Sequence, residues 1–175
     1  MAFSYNNRRD LADSVLREVF RYGIDSFYVK MDVSNLSDVE EAYRIVSSRF
    51  PYLNILVNNA GILSISGFED LLFEEWRRVV EINFTGVFLV TKIFLPLMKR
   101  AEWGSIINIA SIAGQTGHIK GSAAYAASKA GVIDLTRRLA VELAPCIRVD
   151  TIAPSFIDTD MVSDLLSDPE ERENN

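Results

Sequence analysis

The sequence predicts an α/β protein built on a doubly wound parallel sheet. Short apolar runs alternate with longer amphipathic segments along the chain, the pattern of strands and crossover helices. The short runs are apolar at nearly every position, as strands buried on both faces of a helix-covered parallel sheet must be. The 175 residues are 49% hydrophobic and 24% charged, an ordinary globular composition whose length suits one domain over 1–175 and hardly two.

Each element has its own justification. Arg9 to Arg21 carries Leu11, Val15, Leu16, Val19 and Phe20 at helical spacing. Phe27 to Met31 reads as a strand of β-branched and aromatic residues. Ser37 to Phe50 is helical and opens with Ser37 followed three residues later by Glu40, a capping-box pattern. Ile55 to Val57 is a second apolar strand. Phe73 to Arg100 is a long helix that Asn83-Phe84-Thr85-Gly86 is expected to bend. Ser105 to Ala110 is a strand, Ser122 to Leu143 a helix stopped by Pro145, and Ile147 to Ile152 a strand. The polar, acidic end Ser167 to Asn175 is expected to fray.

Several classes are excluded. With one cysteine, Cys146, and one histidine, His118, neither an internal disulfide nor a Cys/His metal site can form, which fits a reducing, cytoplasmic setting. Cys146 is expected to be a small buried apolar residue, and His118 an incidental loop residue. A formal net charge of −6 makes nucleic acid a poor partner. Residues Met1 to Asp10 hold no signal-peptide core. The most apolar stretch, Ile82 to Met98, is broken by Asn83, Thr85, Thr91 and Lys92, so no membrane span is expected.

The chemistry-bearing pattern begins at Tyr125-Ala126-Ala127-Ser128-Lys129. Four residues apart on a helix, Tyr125 and Lys129 share a face. A tyrosine, with a pKa near ~10, exchanges protons poorly at neutral pH, and a neighbouring ammonium favours its phenolate. The same spacing also suits a plain solvated helix face. Ser111 follows a buried strand, where a hydroxyl at the carboxyl end faces the ligand crevice of a parallel sheet; it also suits a loop serine capping the next turn. Asn58-Asn59-Ala60-Gly61 follows another strand and lets backbone approach a ligand closely, or is simply a turn. Asn83, inside an apolar helical segment, needs partners and marks a kink or a site.

Taken in this order, the set resembles the short-chain dehydrogenase/reductase family over nearly the whole chain. The resemblance rests on Asp32-Val33 after a strand, Asn58 to Gly61, Asn83, Ser111, Tyr125-x-x-x-Lys129, and Ile147-Arg148-Val149 running into Ala153-Pro154-x-x-Ile157-x-Thr159-x-Met161. The nearest members are 3-oxoacyl-carrier-protein reductases and sugar or alcohol dehydrogenases. Sugar-nucleotide epimerases share Tyr-x-x-x-Lys, but the Asn58–Gly61 and Pro154–Met161 segments argue against them.

The resemblance implies a Rossmann-like three-layer fold and hydride transfer between NAD(P) and a carbonyl or secondary alcohol substrate. Tyr125 would be the general acid/base, Lys129 would favour its phenolate and bind the nicotinamide ribose, and Ser111 would hold the substrate oxygen. Asn83 would hold a proton-relaying water. Asp32 and Val33 would contact the adenine end. Asn59, Ala60 and Gly61 would line the cofactor with Asn58 bracing the strands, and Ile157 and Thr159 would meet the nicotinamide amide. No metal is implied. The chain would form a homodimer or homotetramer through its two long helices. Arg8 or Arg9, with no acidic residue at the same strand end, favours NADP, with NAD possible.

The pattern also departs from the family. No Gly-x-Gly occurs, so the first strand and the glycine-rich turn that seats the cofactor pyrophosphate on a helix N-terminus are expected to be missing. In the strand order 3-2-1-4-5-6 this splits the sheet and leaves two unpaired edges. By the resemblance the chain is expected to be cut at both ends, and a catalytically inert, dimerising chain is the alternative reading. Ser155 replaces the usual Gly after Pro154, and Asp150 a common Asn.

Overall fold

A computed structural model describes residues 1–116, 121–157 and 159. His118, Met161 and the acidic end fall outside these. The elements run β1 (Ala2–Tyr5), α1 (Arg9–Arg21), β2 (Phe27–Lys30), α2 (Leu36–Arg49), β3 (Ile55–Asn58), α3 (Phe73–Val80), a π-helical turn (Glu81–Thr85), α4 (Gly86–Met98), β4 (Gly104–Ile109), a 3₁₀ turn (Ile112–Gly114), α5 (Ala123–Leu143) and β5 (Ile147–Ile152). This is the expected α/β, Rossmann-like alternation, with every strand pair among the described residues parallel.

The strands fall into two sheets, β1-β2 and β3-β4-β5. Among the described residues β1 pairs only with β2 and β3 only with β4, the divided sheet that the sequence led one to expect. Alternation along each strand sets the layers. In β2, Val29 enters the core with α2, whereas its neighbour Tyr28 donates a 2.6 Å hydrogen bond to Asp13 of α1. Helices therefore lie on both faces of this sheet.

One core joins the two sheets. Val29 of β2 and Met31 just after it pack with Val39, Ala42 and Val46 of α2 and with Val90, Phe94 and Leu97 of α4. A second cluster places Met98 against Ile106, Ile147 and Val149. The segment from Phe73 to Met98 is apolar and long enough to cross a membrane, but Val79, Val87, Val90, Phe94, Leu97 and Met98 are buried within the fold, so packing accounts for its apolarity.

Burial on both faces fails at the second sheet. Leu56 packs inward, but Ile55 and Val57 of β3 are half exposed, as is Ile152 of β5. Among the described residues no helix covers them.

Three local expectations are corrected. The cap of α2 is Asn35, whose side chain accepts from the Ser37 and Asp38 amides, so Ser37 lies inside the helix and the capping box is not formed. Asn is as good a cap as Ser and stands one residue before the helix. The long helix is interrupted by a π turn carrying Asn83 rather than a simple bend. Cys146 is exposed, not buried. It sits in the short turn between α5 and β5, where its carbonyl accepts from the Gly104 amide and no element covers its side chain.

Candidate active site

The site forms at the carboxyl ends of β3, β4 and β5, where α5 crosses them. Ser122 caps α5, its hydroxyl accepting from the Tyr125 amide at 3.2 Å. The first turn of α5 therefore holds Tyr125, with Lys129 one turn on. Lys129 is 5% exposed, and its Nζ donates to the Ile109 carbonyl at the end of β4 at 2.8 Å. Burial pushes its pKa down from 10.5 to about 8. The same Nζ lies 5.8 Å from the Tyr125 ring centroid. An ammonium has three donors, so two N–H groups remain beyond the Ile109 bond.

A cavity of about 790 Å³ opens here. Asn59, Gly61, Ser111, Tyr125, Lys129, Ile157 and Thr159 line it, as does Ser155. Ser111 is buried, and its hydroxyl accepts from the Ala113 amide at 3.1 Å. It caps the 3₁₀ turn, and its own O–H is left to donate into the cavity. A Cβ on Gly61 would lie 3.3 Å from Asn83 Oδ1 and 3.5 Å from Lys129 Nζ. The glycine thus leaves a small polar cradle open at the cavity wall.

The remaining expected residues lie elsewhere. Asn83 is fully buried behind that wall. Its Oδ1 accepts from the Ile62 amide at 2.8 Å, and its Nδ2 donates to the Ile62 carbonyl at 2.9 Å and to Ser128 Oγ at 3.3 Å. This side chain ties the loop after β3 to α5. The π turn provides the opportunity, since its extra residue turns one side chain out of helical phase.

Asn58, Ala60 and Val33 line a different cavity, between β1 and β3. Asn58 Nδ2 donates to Thr91 at 2.9 Å and to Asn108 Oδ1 at 2.8 Å. Asp32 lines neither cavity. Its carboxylate accepts from the Ser34 hydroxyl and amide and from Asn6, bonds that hold it below the usual range. Arg8 donates through Nε and Nη2 to Asp10, both exposed. Among the described residues no group of three His, Cys, Asp or Glu converges.

Two networks escaped the sequence. Asn108 passes the Asn58 bond on to Thr136 at 2.9 Å, joining β3, β4 and α5. Its signal was a lone amide in an apolar strand. Ser64 donates to Glu75 at 2.5 Å and sits 2.6 Å from Ser122 Oγ, while Ser66 also donates to Glu75. These hydroxyls hold the Glu75 carboxyl below its usual range and tie the loop after β3 to the cap of α5. Serines in a loop carry no sequence signal for such a role.

Known proteins match this architecture. The profile of the short chain dehydrogenase family matches residues 2–170. A 3-oxoacyl-[acyl-carrier-protein] reductase from Synechocystis is 38% identical over 167 residues, 95% of this chain and 67% of that one. Its counterpart from Staphylococcus aureus is 39% identical, covering 96% and 68%. Among solved structures, a gluconate 5-dehydrogenase from Burkholderia cenocepacia, in complex with NADP and tartrate, superposes with a TM-score of 0.88 at 26% identity, covering 97% and 66%. The chain thus spans about two thirds of the length of these relatives. With the matched profile, the parallel strands and the Tyr125–Lys129 helix in one place, this chain belongs to the short-chain dehydrogenase/reductase family of oxidoreductases.

Proposed function

We propose that the chain acts as an NAD(P)-linked oxidoreductase on a carbonyl or secondary alcohol, with NADP preferred. The observation that carries the reading is the convergence of Ser111, Tyr125 and Lys129 on one cavity beside the Gly61 cradle. Bound there, the nicotinamide cofactor supplies or accepts the hydride. Lys129, with two donors to spare, holds the ribose side. Asn59, Gly61, Ile157 and Thr159 line the remainder of that half-site, and Asp32 and Val33 contact the adenine end. Ser111 donates its O–H to the substrate oxygen, and Tyr125 exchanges the proton at that oxygen. Asn83 holds the relaying water toward Lys129 while it fixes the loop at Ile62.

The nicotinamide half is supported by the residues present. Within these 175 residues no Gly-x-Gly occurs, and the nicotinamide half-site is the part of the cofactor site that they build. The relatives' names, 3-oxoacyl-[acyl-carrier-protein] reductase and gluconate 5-dehydrogenase, support an acyl or sugar-acid substrate class. The same reading has two copies pairing through the α3–α4 and α5 helices, where Phe73, Phe88 and Val141 are exposed, in a reducing cytoplasm that suits the exposed free Cys146.

The test is a fluorescence titration of the folded chain with NADPH, with NADH as control. Saturable NADPH binding is expected. Absence of binding by a chain whose circular dichroism shows it folded overturns the reading.

A further inference from the structure

We infer that Glu75 of α3 is a positioning residue for Tyr125: through the Ser64 and Ser122 hydroxyls its carboxylate fixes the cap that seats Tyr125 at the start of α5. The bonds run in one direction. A carboxylate only accepts, so Ser64 donates its single O–H to Glu75, 2.5 Å away. Ser64 Oγ then has no proton left for Ser122 Oγ at 2.6 Å, and the Ser122 hydroxyl donates to it. Ser122 Oγ in turn offers only lone pairs to the backbone, and it accepts from the Tyr125 amide at 3.2 Å. The chain from the Tyr125 amide through Ser122 and Ser64 to Glu75 takes its polarity from the charged end, and each bond polarises the next.

The surroundings leave this chain little freedom. Ser64 and Ser122 are buried, so their hydroxyls need protein partners. A second bond clamps the same pair, the Ser122 amide donating to the Ser64 carbonyl at 2.7 Å. Ser66 donates to the same carboxylate, 2.8 and 2.9 Å from its two oxygens, and keeps Glu75 turned toward Ser64. The Tyr125 ring rests on this junction: a Cβ on Gly121 would lie 3.1 Å from Tyr125 Cδ1 and 3.9 Å from the Ser64 carbonyl oxygen. Glu74 shares the first turn of α3 with Glu75 but is exposed and stands outside the chain. The consequence for turnover rests on the proposed role of Tyr125; the consequence for the cap does not.

The test compares Glu75→Gln, Ser64→Ala and Glu74→Gln in the whole chain. Glu74→Gln is the control, because it removes the same charge from the same helix turn. Amide exchange followed by NMR reads the cap, and steady-state assays with NADPH and a ketone read its effect on chemistry. The Tyr125 amide should exchange ~10-fold faster in Glu75→Gln and in Ser64→Ala, and no faster still when the two are combined. The Ala126 amide, bonded to the Ser122 carbonyl at 3.0 Å, should keep its rate, which a general loss of stability would not allow. In both variants kcat should fall ~10-fold with KM unchanged, and Glu74→Gln should change neither exchange nor turnover. Unaltered Tyr125 exchange in Glu75→Gln, or equal acceleration at Ala126, overturns the proposal whatever the turnover. So does a weakened cap with kcat intact. A parent chain that reduces no ketone counts against the proposed function, and the exchange rates then decide the role of Glu75 alone.

Discussion

The ammonium of Lys129 lies 2.8 Å from the carbonyl oxygen of Ile109, and this bond ties the helix that carries Tyr125 to the end of the central strand of its sheet. A lysine so placed is buried with one neutral acceptor, and its pKa falls to about 8. That has a consequence for stability. Below pH 8 both folded and unfolded chains carry the proton, and the cost of burying the charge is fully present. Between about 8 and 10.5 the unfolded chain still binds the proton that the folded chain has lost, so stability rises with pH. The full difference is about 3 kcal/mol. Lys129→Met should remove this component. Urea unfolding of both proteins from pH 7 to 11 measures it, and parallel curves would show that Lys129 is not desolvated.

In the proposed function the Tyr125 hydroxyl exchanges the proton, and removing it leaves the helix undisturbed. Tyr125→Phe is expected to lower turnover at least ~100-fold while leaving the thermal midpoint in place. Ser111→Ala should lower turnover ~10-fold or more through the lost donor. Steady-state assays against ketone and sugar substrates with NADPH check both. Retained turnover in the Phe variant sinks the role assigned to Tyr125.

Asn108 is fully buried, accepts from Asn58 and donates to Thr136. Asn108→Ala leaves both partners with an unmet bond away from water, at a cost of roughly 2–3 kcal/mol. A lower urea midpoint with unchanged slope is the expected readout.

A Cβ at Gly114 would lie 2.6 Å from the Ala130 backbone nitrogen and 2.7 Å from the Lys129 carbonyl carbon. Backbone cannot rotate away as a side chain can. Gly114→Ala should destabilise by roughly 1–3 kcal/mol and weaken NADPH binding by displacing Lys129. Gly67→Ala, whose Cβ would meet only Asp70 Oδ2 at 3.9 Å, should stay within ~0.5 kcal/mol of the parent. Differential scanning fluorimetry compares the two.

Arg8 bonds Asp10 at the protein surface, and such exposed pairs contribute at most ~1 kcal/mol. In the proposed function a cofactor phosphate meets Arg8 or Arg9 at this strand end. Replacing Arg8 and Arg9 together by alanine should narrow the ratio of NADPH to NADH affinity by ~10-fold, as read by paired titrations. An unchanged ratio places cofactor choice elsewhere.

Read alone, the sequence determined the order of strands and helices, because the apolar periodicity that marks each one is a local property of the chain. It also determined the Tyr125–Lys129 pairing, since four residues on a helix is one turn. The candidate chemistry-bearing residues were chosen by their type and order. Only the tertiary structure decided what those residues touch. Asn83 was legible as a buried amide in an apolar segment, but its hold on Ile62 and Ser128 depends on a π turn that no periodicity marks. Asn108 and the Ser64–Ser122–Glu75 network lie among residues 28 to 58 positions apart or joined through loops, where short-range patterns carry no signal. Cys146 looked like a core residue by type and lies exposed because burial is decided by what packs above a side chain. The divided sheet was expected from the strand order that the resemblance implies, yet the volume and lining of the groove between β1 and β3 belong to the packing of α2 and α4 beneath it.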